Sequence, residues 1–121
     1  MMPYTEKIQR VFKIATRAAW YAARKQGIYT GSPDDHRDGF IHLCARQQLA
    51  CTLTKHFKDQ VDLILIEFDT DALGGELRWE RSRGGDLFPH LYAPLPTAAA
   101  RAEHSLQLDQ EGVPVIPKDI A

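Results

Sequence analysis

Leu63-Ile64-Leu65-Ile66-Glu67-Phe68 is the stretch on which the fold turns. An apolar run of strand length, without glycine or proline, has no solvent face. It reads as a buried central strand covered on both sides. Glu67 interrupts it, and it is far too short to span a bilayer.

Working outward, Arg10-Val11-Phe12-Lys13-Ile14-Ala15 alternates and is rich in β-branched and aromatic residues, so it reads as a first strand. Thr16 is placed to cap a helix through Trp20 and Ala23, with Gly27 as its stop. Ile28 to Asp38 reads as a loop, on the strength of Gly31, Ser32, Pro33 and its aspartates. Phe40 to Cys44 is expected as one short strand, followed by an amphipathic helix from Arg46 to Phe57 with Leu49, Leu53 and Phe57 on one face.

Beyond the central run, Asp69 to Gly75 is a turn and Glu76 to Glu80 alternates strictly, with Leu77 and Trp79 on one face. Arg81 to Asp86 is a loop leading into Phe88-Pro89-His90-Leu91-Tyr92, where Pro89 argues against a central position in a sheet. Ala98 to Ala102 is expected as a helical turn and His104 to Leu108 as the last strand. The order predicts an α+β fold in one domain, residues 1–121, with its core at about 10–108 and an irregular tail at 109–121.

Composition narrows the classes. The chain of 121 residues is 44% hydrophobic, enough for one modest core. A formal net charge of −1 offers no field for nucleic acid or an anionic membrane. Met1 to Lys7 carries no apolar signal region, so a cytoplasmic protein is expected, as a monomer or weak homodimer. Cys44 and Cys51 are too few for a disulfide framework or a structural zinc site, and no metal is expected.

Two histidines, His42 and His90, lie in the most apolar and aromatic stretches of the chain. Imidazole titrates near neutral pH and needs partners when buried. Alternation puts Phe40, His42 and Cys44 opposite the core pair Ile41 and Leu43. The His42 face then lines a cleft, or packs in a second layer with the imidazole bonded to a carbonyl. His90, beside Phe88 and Tyr92, has the same two readings. Arg78 and Glu80 point away from Trp79. Glu80 can orient a sugar hydroxyl or simply pair with Arg78 on a solvated face.

Arg81-Ser82-Arg83-Gly84-Gly85 is the best anion site, since guanidinium forks grip phosphate and glycines let backbone amides approach. A plain surface turn is the alternative. Lys13 and Arg46 can add charge, and Lys13 shares a strand face with Val11 and Ala15. Cys44 near His42 raises a thiol nucleophile, without an evident orienting group. His36, His42, His90 and Cys44 match no metal-ligand spacing.

Taken in order, Val11-Phe12-Lys13-Ile14-Ala15, Trp20, Gly31-Ser32, Gly39-Phe40-Ile41-His42-Leu43-Cys44, Leu77-Arg78-Trp79-Glu80 and Phe88 through Leu95 resemble the uncharacterised bacterial family called domain of unknown function 952, over residues 10 to 105. Cysteine at position 44 departs from the serine common there. The resemblance implies a fold similar to ADP-ribosyltransferases and the tRNA 2′-phosphotransferase. That fold has a bent, split, mixed sheet, with a cleft for nicotinamide–adenine dinucleotide (NAD) between its halves, and here a bent mixed or antiparallel split sheet with two main helices is expected. It implies that His42 contacts a ribose, that Glu80 is the nearest candidate for the activating glutamate, and that His90 forms the opposite wall.

Three functions follow as expectations. One is an NAD-dependent ADP-ribosyl-type transferase in which His42, Glu80 and His90 serve the chemistry. Lys13, Arg46, Arg81 and Arg83 would then clamp phosphate, and Phe88, Tyr92 or Tyr29 would stack the base. Another is a non-catalytic module that binds a nucleotide or small anion. The third is a hydrolase using Cys44 and a histidine.

Overall fold

Burial on both faces makes Leu63–Asp69 an interior strand, with Arg10–Thr16 on one side and Ala100–Ser105 on the other. The computed structural model describes residues 9–82 and 84–120. In chain order its elements are β1 (Arg10–Thr16), α1 (Arg17–Gln26), β2 (Ile28–Tyr29), α2 (Pro33–Asp38), β3 (Ile41–His42), β4 (Cys44–Ala45), α3 (Leu49–His56), β5 (Leu63–Asp69), β6 (Leu77–Arg81), β7 (Leu87–Leu91), β8 (Leu95–Pro96) and β9 (Ala100–Ser105). The fold is a small α+β domain with few helices. Its strands form a four-stranded sheet in the order β4-β1-β5-β9, a β2-β8 pair, and a three-stranded sheet in the order β3-β7-β6. All strand pairings among the described residues are antiparallel, which is the antiparallel form of the mixed or antiparallel sheet expected.

Two cores lie on opposite faces of the large sheet. One packs Val11, Trp20, Tyr29, Ile64, Ile66 and Phe68 against Ile41, Leu43 and Leu91, which joins the small sheet to the large one. The other packs Phe12, Leu63 and Leu65 under Leu49 and Leu53 of α3, and includes Ile120 from the irregular tail. Helix α1 begins and ends where its caps predict. Thr16 Oγ1 accepts from the Ala19 amide at 3.1 Å, and Gly27 takes φ 89° at the C-terminal end.

Five local expectations need correction. Residues 28 to 38 contain β2 and helix α2, which starts in a capping box: Ser32 accepts from the Asp35 amide while the Asp35 carboxylate accepts from the Ser32 amide. Phe40 to Cys44 is two strands, because β3 pairs with β7 and β4 pairs with β1. The helix expected from Arg46 opens as a 3-10 turn over Arg46–Gln48 before α3. A 3-10 turn over Thr97–Ala99 likewise replaces the helical turn at Ala98 to Ala102, and the last strand starts at Ala100.

Pro89 does not keep its strand at an edge, since β7 is the middle strand of its sheet. Strand β3 ends at the His42–His90 pair, so Pro89 has a paired strand only on its β6 side. The Pro89 carbonyl still accepts from the Leu43 amide at 3.1 Å. A missing N–H costs nothing where no neighbour needs it.

Candidate functional site

One face of the small sheet carries the unusual chemistry. Alternation turns Ile41, Leu77 and Leu91 into the core and leaves His42, Arg78, Glu80, Phe88 and His90 on the other side. His42, His90 and Arg78 form one cross-strand row, and Glu80 stands opposite Phe88 in the next. The two histidines are therefore neighbours on one surface rather than opposite walls of a cleft. Their ring centroids are 5.7 Å apart, in an edge-to-face arrangement.

Asp35 anchors the His42 side. It is buried at the start of α2, and its carboxylate meets four donors: Lys13 Nζ at 2.8 Å, the Ser32 amide at 2.9 Å, the His42 amide at 3.0 Å and His42 Nδ1 at 2.6 Å. Burial alone would push this carboxyl up, but the bonds from His42 and Lys13 outweigh it and hold it well below the usual carboxylate range. Gly31 makes room for the carboxylate. With φ +119°, it would bring a Cβ to 2.8 Å from Asp35 Cβ. Asp38 Oδ2 lies 2.9 Å from His42 Nε2, so both ring nitrogens face carboxylates.

On the other side, Glu80 accepts two bonds on one oxygen. His90 Nδ1 and the Tyr92 hydroxyl each lie 2.7 Å from Oε1. These bonds hold the Glu80 carboxyl below its ordinary value and push the Tyr92 phenol up. Among the described residues no hydrogen bond falls on Glu80 Oε2. Phe40 stacks on His90 with centroids 4.0 Å apart, and its ring lies 5.3 Å from that of Tyr92. The Arg78 guanidinium sits 5.0 Å from the Tyr92 ring centroid. A hollow of about 240 Å³ lies beside these rings, lined by Thr30, Asp35, Gly39, Phe40 and Tyr92 among others.

The expected phosphate clamp does not assemble here. Lys13 is buried against Asp35 and the His42 carbonyl, and burial pushes its ammonium down more than Asp35 raises it. Arg46 lines a different hollow on the far side of β6. Arg81 is tied to the Gly85 carbonyl at 2.8 Å, and Arg83 lies outside the described residues. Tyr29 is buried against Trp20 and cannot stack a ligand. Cys44 is in the second core, where its thiol donates to Thr52 Oγ1 at 3.4 Å and burial pushes its pKa up. No cluster of three or more metal-ligating side chains occurs among the described residues.

Asp35 and Asp38 complete the site and carry no role in the sequence reading, which places Phe40 beside His42 and Arg78 beside Glu80. The available signal was Ser32-Pro33-Asp34-Asp35, a capping box with proline at the first helical position. Arg78 was readable from strand alternation alone, as the second charge on the Glu80 face.

The family described as "Protein of unknown function (DUF952)" matches residues 14–102. The chain belongs to this family. The X-ray crystal structure of protein CC0527 from Caulobacter crescentus is similar to it, with 46% identity over 88% of this chain and 93% of that one, and a TM-score of 0.85. The solution NMR structure of CC0527 is 47% identical over 87% of this chain and 90% of that one, with a TM-score of 0.79. No curated protein matches the chain. Among the described residues of this DUF952 member, no helix is long and apolar enough to cross a membrane.

Proposed function

We propose that the histidine face binds the ribosyl end of an NAD-type dinucleotide and catalyses ADP-ribosyl-type transfer from it. The observation carrying this reading is the pairing on one surface of an outward imidazole, His42, with an outward carboxylate, Glu80, whose Oε2 accepts no bond among the described residues. These are the groups a site needs to hold ribose hydroxyls and to face positive charge developing on the sugar.

The ribosyl half of the dinucleotide fits these residues. Glu80 binds one hydroxyl through Oε2, another reaches His42 Nε2 by displacing the Asp38 carboxylate from it, and Phe40 and Tyr92 offer aromatic surface beside the adjoining hollow. NAD is substrate in this scheme. Its bond from the anomeric carbon to the nicotinamide nitrogen breaks, and the electron pair leaves with the ring. The Glu80 carboxylate faces the cationic sugar while an acceptor's lone pair closes on that carbon. The acceptor's proton passes to Glu80 Oε2 or to water. Asp35 keeps His42 oriented throughout, through its bonds to the ring and to the backbone amide.

A second reading has support from the scattered cations. Lys13 is buried beneath Asp35, Arg37 is held by Asp34 and Asp38, and Arg46 and Arg81 lie elsewhere, so among the described residues Arg78 is the cation this face offers without a carboxylate partner. One guanidinium suits a ribosyl monophosphate held without turnover. Titration calorimetry with NAD and with ADP-ribose, followed by an assay for released nicotinamide, separates the two. Binding with release supports the transferase, and binding without release supports the module. No heat with either compound overturns both.

A further inference from the structure

We propose that a second ligand site lies on the opposite side of β6 from the histidine face, in a hollow of about 530 Å³, and that it takes a small planar aromatic molecule carrying one anionic group. The volume falls within the range of small-molecule sites, roughly 300–1,000 Å³. Phe12 and Ala45 form its buried apolar floor, and Trp79 lines it from the small sheet.

The sign of the ligand follows from which polar groups are already satisfied. Glu67 is buried, with Oε2 2.6 Å from His104 Nε2 and Oε1 3.6 Å from Arg10 Nη1. Arg10 is also engaged by Asp69 at 2.8 Å. Asp119 is exposed at the rim, 3.8 Å from the His104 ring. Arg46 is different: its Nε is buried without a hydrogen-bond partner, and its Nη2 reaches the Ile120 carbonyl only at 3.5 Å. A buried charged donor without an acceptor is rare in folded proteins. An acceptor held in the hollow meets the guanidinium at its Nη edge, where the 3.5 Å contact to Ile120 is the one hydrogen bond among the described residues, and that edge matches a carboxylate or phosphate.

The aromatic part follows from Trp79. Leu77, two residues earlier on the same face, packs into the core, whereas Trp79 runs past the core edge and stays 39% exposed. An indole half in water at the wall of a hollow is a stacking platform beside the Arg46 donor. The hollow shares no lining residue with the histidine face, so the two sites stand or fall separately.

The test is a ¹⁵N NMR titration of the full chain with 2-naphthoate, with 2-naphthylmethanol as the neutral control. The Trp79 indole N–H and the Arg46 Nε–H signals are expected to move together and saturate, while Tyr92 stays still. The alcohol is expected to bind at least about tenfold more weakly, as loss of a charge-assisted bond implies. Arg46→Gln and Trp79→Ala should each weaken naphthoate to a similar degree. Trp79 is half-exposed on an edge strand, so Trp79→Ala carries the test if Arg46→Gln does not fold. Absence of saturable movement, an equal response to the alcohol, or unchanged affinity in Trp79→Ala overturns the proposal.

Discussion

His42 and His90 are register partners on adjacent strands, each bonded through Nδ1 to a carboxylate, yet the two pairs are built inside out relative to one another. In the first the carboxylate is inside, Asp35 being 2% exposed, and the imidazole faces out at 38%. In the second the imidazole is inside, at 8%, and the Glu80 carboxylate faces out at 37%. The difference follows from the supports. Asp35 is held from below by Lys13 and the start of α2, while His90 lies under the Phe40 ring. One pair therefore turns its imidazole to the surface and the other turns its carboxylate there.

The largest effect is expected where the inside-out arrangement is most costly to disturb. Asp35→Ala leaves the Lys13 ammonium buried without its partner, and unfolding in denaturant should show a loss of about 3–5 kcal/mol. Removing both charges, with Lys13→Met and Asp35→Leu together, should recover most of that loss. A single variant that costs less than about 1 kcal/mol would mean that Lys13 finds water and that the buried pair is not the anchor.

Acidification separates the pairs next. The folded Asp35 carboxyl is depressed, so its contribution to stability is present above the unfolded value of about 4 and is lost as pH falls through the folded value. Glu80 is depressed in the same direction, but it faces solvent, where screening leaves such an interaction little weight. Stability measured from pH 6 downwards should therefore show a steep acid limb that Asp35→Asn flattens and Glu80→Gln leaves in place. An acid limb unchanged in Asp35→Asn would remove Asp35 from this role.

Much of the scaffold behind this comparison was legible from local patterns. The apolar run at Leu63 and the caps at Thr16 and Gly27 are short-range signals, and the elements they specify form as read. The inside-out pairing was not legible, because Asp35 collects donors from positions 13, 32 and 42, which only the fold brings together. Nor does alternation across Phe40 to Cys44 reveal that the chain changes sheets at Leu43, which sends Cys44 into a different core from His42's surroundings. Lys13 shows the same limit. Its strand face hinted at burial, but its partner was out of sequence reach.

Truncating the histidines should bring out a smaller contrast. His90→Ala removes a buried ring that stacks on Phe40 and bonds Glu80, for a stability loss of about 1–3 kcal/mol. His42→Ala leaves Asp35 with its other donors, so about 0.5–1.5 kcal/mol is expected. Ligand affinity should fall in the reverse order, with His42→Ala weakening ADP-ribose by at least about tenfold. If His42→Ala unfolds the protein instead, the imidazole is a packing residue and the outward-imidazole half of the comparison fails.

The smallest stability effect and the sharpest functional one should coincide at Glu80. Its carboxylate accepts from His90 and Tyr92 near the surface, and glutamine keeps the side chain's shape and a carbonyl acceptor. Glu80→Gln should thus stay within about 0.5 kcal/mol of the parent chain. If the outward carboxylate stabilises a cationic sugar, the same change removes its charge and should abolish nicotinamide release while ADP-ribose still binds, because hydroxyl recognition needs an acceptor rather than a full charge. Release that survives Glu80→Gln would leave the outward carboxylate with a binding role alone. His42 would then be the group on this face around which any chemistry has to be rebuilt.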